Sequence, residues 1–157
     1  MGIDIHTYIF KRDRKENKWK QVKLFTKKEN EYEEVTVYPY RSYELFDILS
    51  EREDDPSFTA FVIDTNILPI DFQEKIKNDT EFCYDFREVN LADLKLYLIK
   101  HPKIRDYDYK ETNSNALKEN PVTGFVERIE WYLDLADPSW NFCSPPSDIK
   151  IVYWFDR

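Results

Sequence analysis

The chain has 157 residues, of which only two are glycine, two histidine and two cysteine, and its formal net charge is −8. About eleven glycines would be usual at this length, so the glycine-rich loops that let backbone approach phosphate in dinucleotide and P-loop folds are excluded. A zinc ribbon lacks its four paired Cys or His ligands, and the acidic balance argues against direct binding to a nucleic-acid backbone.

One domain is expected for this length. Aromatic residues make up 17% of the chain, so large rings must fill much of the core. Ile3, Ile5, Thr7 and Ile9 alternate with Asp4, His6, Tyr8 and Phe10, which predicts a strand at the start. A charged turn over 11–18 and a second strand, Trp19 to Phe25, complete a predicted hairpin. Glu33 to Tyr38 reads as a third strand ended by Pro39. Ser42 is placed to cap a helix carrying Leu45, Phe46 and Leu49 on one face, with Glu44 in its first turn. A loop over 51–57 precedes an apolar run, Phe58 to Ile63, and Ile67-Leu68-Pro69 leads into a short amphipathic helix over 70–78. Asn90 and Asp93 have capping-box spacing before a stripe of Leu91, Leu94, Tyr97 and Leu98 that Pro102 stops. Residues 103–120 read as a polar surface loop.

Asn120-Pro121 opens the clearest helix, with Val122, Phe125, Val126, Ile129, Tyr132, Leu133 and Ala136 repeating at three and four. Gly124 inside its first turns implies close packing or a cap. A proline-bracketed loop holds Trp140 and Cys143, and Ile149 to Phe155 is a β-prone closing strand. The expected class is therefore α+β: a single domain with a mostly antiparallel sheet that includes both terminal strands. Three to four helices pack on it, covering a face.

Asp4 and His6 share one strand face, about 6.5–7 Å apart along it. Such a pair can help hold a metal or work as acid and base, with Asp64, Asp156 and His101 as further ligands to be brought in by the fold. His101 at a helix end suits a capping role. Arg41 among Tyr38, Tyr40 and Tyr43 at a predicted helix start could stack on a base or clamp a phosphate. Its bland counterpart is an ion pair with a glutamate such as Glu44. The acidic stretch Glu51 to Asp55, with Glu29, Glu31, Glu33 and Glu34, could imitate nucleic acid toward a basic partner, although charge runs are commonly solvated faces. The two cysteines are expected to be reduced and buried. No run reaches the eighteen or so apolar residues of a membrane helix, so no membrane association and a cytoplasmic location are expected.

Several of these segments together resemble an uncharacterised family of phage and prophage proteins. Met1-Gly2-Ile3-Asp4-Ile5-His6 is similar to its Met-Gly-Cys-Asp-Ile-His opening, and Arg41 to Leu49 to its Gly-Arg-Asn-Tyr-Asp-Leu-Phe segment. Leu68-Pro69-Ile70-Asp71 resembles its Gly-Leu-Pro-x-Asp loop, and Ile149 to Asp156 its closing Val-Arg-Ile-Val-Phe-Trp-Phe-Asp strand. Ile3 and Ser42 depart from the pattern, and Phe82 to Arg87 stands where the family has a His-Ser-His-like stretch. The resemblance implies a small accessory protein and no established activity.

The expected function is non-catalytic binding of a host protein or a nucleotide-like small molecule, with an anti-defence role among the options. Asp4, His6, Arg41, Tyr43 and Asp156 are the expected ligand-binding residues, with no catalytic residue, metal or cofactor assigned. The alternative is a metal-dependent hydrolase using Asp4 and His6.

Overall fold

A computed structural model describes residues 4–50, 61–62, 67–79, 83–106 and 116–156. The central sheet has the order β2-β1-β9-β6-β5, every neighbouring pair antiparallel. Its strands are β1 (Asp4–Asp13), β2 (Lys18–Val22), β5 (Phe61–Val62), β6 (Tyr84–Asn90) and β9 (Ile149–Asp156). The α+β class and the union of both terminal strands in one sheet are thus as the sequence predicts. The two strands are direct neighbours, paired from Asp4↔Asp156 to Lys11↔Ile149.

Strand parity divides the core in two. Ile5 and Ile9 of β1 and Ile149, Ile151, Tyr153 and Phe155 of β9 face one large cluster. That cluster is covered by α1 (Tyr43–Leu49), α3 (Leu91–Lys100) and α4 (Val122–Ala136). The alternate residues Phe10, Val152 and Trp154 face a second cluster with Phe72 and Ile76 of α2 (Ile70–Asp79). Helices therefore cover both faces of the sheet rather than one. The reason is visible in β9, where Ile149 to Phe155 are all buried: a strand apolar on both sides needs cover on both.

The predicted caps form. Ser42 Oγ accepts the Leu45 N–H at 3.0 Å, and Asn90 Oδ1 accepts the Asp93 N–H at 2.8 Å. His101 is the C-cap residue of α3, its N–H donating to the Tyr97 carbonyl. Gly124 is exposed, and a methyl group there would meet nothing within 4 Å, so neither close packing nor a cap explains it.

Several segments differ from expectation. The strand expected over Glu33 to Tyr38 is instead β4 (Glu31–Glu34), paired with β3 (Phe25–Lys28) in a separate hairpin. Beyond it the Thr36 and Val37 carbonyls accept from the Arg128 guanidinium and Val37 enters the core, which takes them out of strand pairing. The polar region after Pro102 contains a small ribbon, β7 (Lys103–Arg105) with β8 (Leu117–Glu119). Trp140–Cys143 forms the short helix α5. Both cysteines are free, but neither is buried as expected: Cys83 is half-buried and Cys143 exposed. The loop expected over 51–57, its acidic stretch and Asp64 lie outside the described residues.

Candidate functional site

The site lies where β1 begins and β9 ends. β2 pairs with β1 only from Ile9 to Asp13. The chain then leaves the sheet, makes the β3–β4 hairpin, closes its base with a Val35 N–H to Leu24 carbonyl bond of 2.7 Å, and returns to meet β1 at an Asp4↔Arg41 bridge. Between those two points Ile5–Tyr8 has β9 on one edge and, among the described residues, no strand on the other. Along that edge runs a cleft of about 600 Å³, lined also by the end of β2, by the returning chain from Glu34 to Tyr40, and by Phe72 and Lys75 of α2.

Asp4 lines the cleft and is held by Arg41. The guanidinium makes two bonds to the carboxylate, at 2.5 and 3.2 Å. Asp4, with a smaller contribution from Asp156, strengthens the hold of Arg41 on its proton. Arg41 thus pairs with Asp4, not with Glu44, which instead binds Lys118. Tyr43, the exposed first residue of α1, does not line the cleft.

His6 stands two residues along from Asp4 and shares its face. Its Nε2 lies 2.5 Å from Asp156 Oδ2, and its ring stacks on Trp154 with centroids 5.9 Å apart. Cys83, just before β6, completes a cluster: one ligand-type atom from each of His6, Cys83 and Asp156 lies within 4.8 Å of the others. Asp4 is outside this group, its carboxylate held by Arg41, so the pair expected from sequence does not converge as a ligand set. His101 is also outside it and packs against Tyr97 at the other end of α3.

Cys83 is the residue the sequence reading missed. Its placement follows from a β-bulge in β6. Arg87 is opposite Tyr153, but Tyr84 is opposite Phe155, so three steps on β6 match two on β9. Asp85 takes the extra position with φ 58°, and the Arg87 Nε donates to its carboxylate at 2.7 Å. Aspartate tolerates this left-handed conformation better than most residues. One inserted residue reverses which face the preceding residues present, which brings Cys83 to the His6 and Asp156 side.

The local chemistry is that of a partly covered polar group beside an aromatic wall. Burial, then Asp156 and Asp79, push the Cys83 thiol upward, while the Trp154 indole N–H opposes them. A thiol with a raised pKa is a poor nucleophile without a metal, which disfavours a cysteine hydrolase. Burial and the nearby carboxylates of Asp79 and Glu34 likewise hold the Tyr8 phenol in its protonated form. Among the described residues three buried polar atoms here have no hydrogen-bond partner: Thr7 Oγ1, on a residue only 4% exposed that lines the cleft, Trp154 Nε1 and Asp156 Oδ1. No helix among the described residues is long and apolar enough to cross a membrane. Comparison with family models, curated proteins and solved structures finds no match to this chain.

Proposed function

We propose that this protein is a non-catalytic binding protein that takes an extended segment of a partner protein as an added strand beside Ile5–Tyr8. The observation that carries the reading is that the edge of β1 facing a cleft pairs with no strand among the described residues. In an antiparallel sheet alternate residues direct both backbone groups to the same edge, so this stretch offers donors and acceptors at a repeat of about 6.8 Å. Strand addition satisfies such groups and leaves side-chain pockets to set specificity.

The resemblance to phage and prophage proteins supports an accessory role, and the same proposal takes a host protein as the partner, with an anti-defence role and action in the cytoplasm. A nucleotide-like ligand has less support, because Arg41 already bonds Asp4 and leaves Lys23 and Lys75 as the basic residues lining the cleft. A hydrolase built on Asp4 and His6 loses Asp4 to the same ion pair.

The test is selection from a random eight-residue peptide library, followed by amide hydrogen exchange with a selected peptide. Slowed exchange confined to one set of alternate amides in Ile5–Tyr8 is expected. N-methylation of every second peptide residue should weaken binding at least tenfold in one register and hardly at all in the other. Failure to select any peptide, or binding that leaves these amides unprotected, refutes strand addition. A thermal shift with nucleotides that survives Arg41→Ala would favour the small-molecule ligand instead.

A further inference from the structure

We propose that His6, Cys83 and Asp156 form a binding site for one divalent transition-metal ion of the zinc type. Three elements far apart in sequence deliver the ligands: β1, the residue before β6, and the end of β9. An imidazole, a thiol and a carboxylate are the donor types that zinc and cobalt share. Calcium and magnesium favour oxygen cages and fit poorly with sulfur and nitrogen.

The dimensions are close to those required. Zinc bonds of about 2.0–2.3 Å in a tetrahedron put ligand atoms about 3.3–3.8 Å apart. The three candidate atoms already lie within 4.8 Å of one another. His6 and Asp156, now 2.5 Å apart, would separate by about 1 Å, and Cys83 would approach by no more than about 1.5 Å. These are side-chain movements, since the strand register and the bulge already set the backbone.

A second observation points the same way. Asp156 Oδ1 is buried without a hydrogen-bond partner among the described residues, a costly state for a carboxylate oxygen that a cation beside it would relieve. Trp154 and Phe86 pack together next to the cluster, which lowers the local polarity and strengthens the attraction between a dication and its anionic ligands. With three protein ligands a tetrahedral ion keeps one open position, and His6 also lines the cleft. Binding replaces the Cys83 thiol proton, which passes to solvent. The proton that His6 Nε2 shares with Asp156 Oδ2 also leaves when that nitrogen ligates the ion, passing to the other ring nitrogen where that is unprotonated and otherwise to solvent.

The test uses the full chain, stripped with chelator under reducing conditions and titrated with cobalt(II). One ion per chain is expected, with a thiolate-to-cobalt charge-transfer band in the near ultraviolet and strong visible bands of tetrahedral cobalt, both abolished by zinc. Cys83→Ser should remove the charge-transfer band and weaken binding at least tenfold. His6→Gln should weaken it similarly, and Cys143→Ser, at an exposed free cysteine, should change neither. No charge-transfer band in the folded natural chain overturns the proposal, as does a band that survives Cys83→Ser or disappears with Cys143→Ser. Circular dichroism checks each variant, and the natural chain with Cys83→Ser decides the matter if His6→Gln fails to fold.

Discussion

Asn120 joins the end of α3 to the start of α4, and its removal should be among the most damaging single changes. The residue is fully buried. Its Nδ2 donates to the Tyr97 hydroxyl and to the His101 carbonyl, each at 2.9 Å, and its Oδ1 accepts the Val122 N–H at 3.0 Å. Asn120→Ala deletes three bonds with a net value of about 0.5–1.5 kcal/mol each and leaves buried groups that cost about 1–3 kcal/mol apiece when unpaired. Relaxation recovers part of that, so a loss of about 3–4 kcal/mol is expected. At about 2–4 °C per kcal/mol for a chain of this size, the melting temperature should fall by roughly 6–16 °C. Urea unfolding followed by circular dichroism should show a lower midpoint with an unchanged slope. Asn120→Asp separates the two halves of the side chain. It keeps the acceptor at a helix start, where negative charge is favoured, but turns a carboxylate oxygen toward the His101 carbonyl. Burial and that carbonyl raise the folded-state pKa of the new carboxyl, so its penalty should be full at pH 7 and shrink as pH falls through the raised value. A loss below about 1 kcal/mol for Asn120→Ala, or an Asn120→Asp variant as stable as the natural chain at pH 7, would refute this account.

Gly124→Ala should stabilise the protein by about 0.5–1 kcal/mol, because the added methyl meets open space in a regular helix; thermal unfolding should show a rise, and a fall would restore the close packing expected from sequence. Glu88→Ala removes the 3.3 Å partner of Lys150, itself only 8% exposed beneath the Trp19 ring. About 2–4 kcal/mol should be lost and much of it regained on adding Lys150→Met, as a double-mutant cycle in urea would measure. At the bulge, Asp85→Asn keeps an acceptor for Arg87 Nε but removes the charge of a largely buried ion pair and should cost about 1–2 kcal/mol; Asp85→Val loses the acceptor as well and resists φ near 58°, and should cost at least about 2 kcal/mol more. Equal denaturation midpoints for these two variants would show that the left-handed residue does not hold the bulge.

The elements that end in a side-chain cap or follow one strong period were legible: Ser42 and Asn90 mark their helices, and Val122 to Leu133 defines α4 without help from the fold. β9 was also legible, since no other segment is so rich in β-branched and aromatic residues. β6 was not. Its apolar residues fail to alternate because Asp85 is an extra residue, and the period on which strand recognition rests is broken at that point. The short ribbon after Pro102 escaped for a different reason: three-residue strands are too short to show a period at all.

The same distinction governs the site. His6 and Asp4 could be seen to share a face, because strand parity is a local property. Whether they share a partner is decided by register, and register gave each a different one: Asp156 for His6 and Arg41 for Asp4. Arg41 was conspicuous among tyrosines, yet its charge is engaged by Asp4, one of the carboxylates from which the sequence reading would build a metal site. Cys83 reaches the cluster only through the inserted Asp85, a displacement of one residue that turns a strand face over. The two uses of this corner are therefore separable. Ile5–Tyr8 can bind a chain through backbone groups whatever stands at position 83. The cluster of His6, Cys83 and Asp156 depends on the bulge, so Asp85→Val should weaken cobalt binding while leaving peptide binding at the β1 edge largely intact.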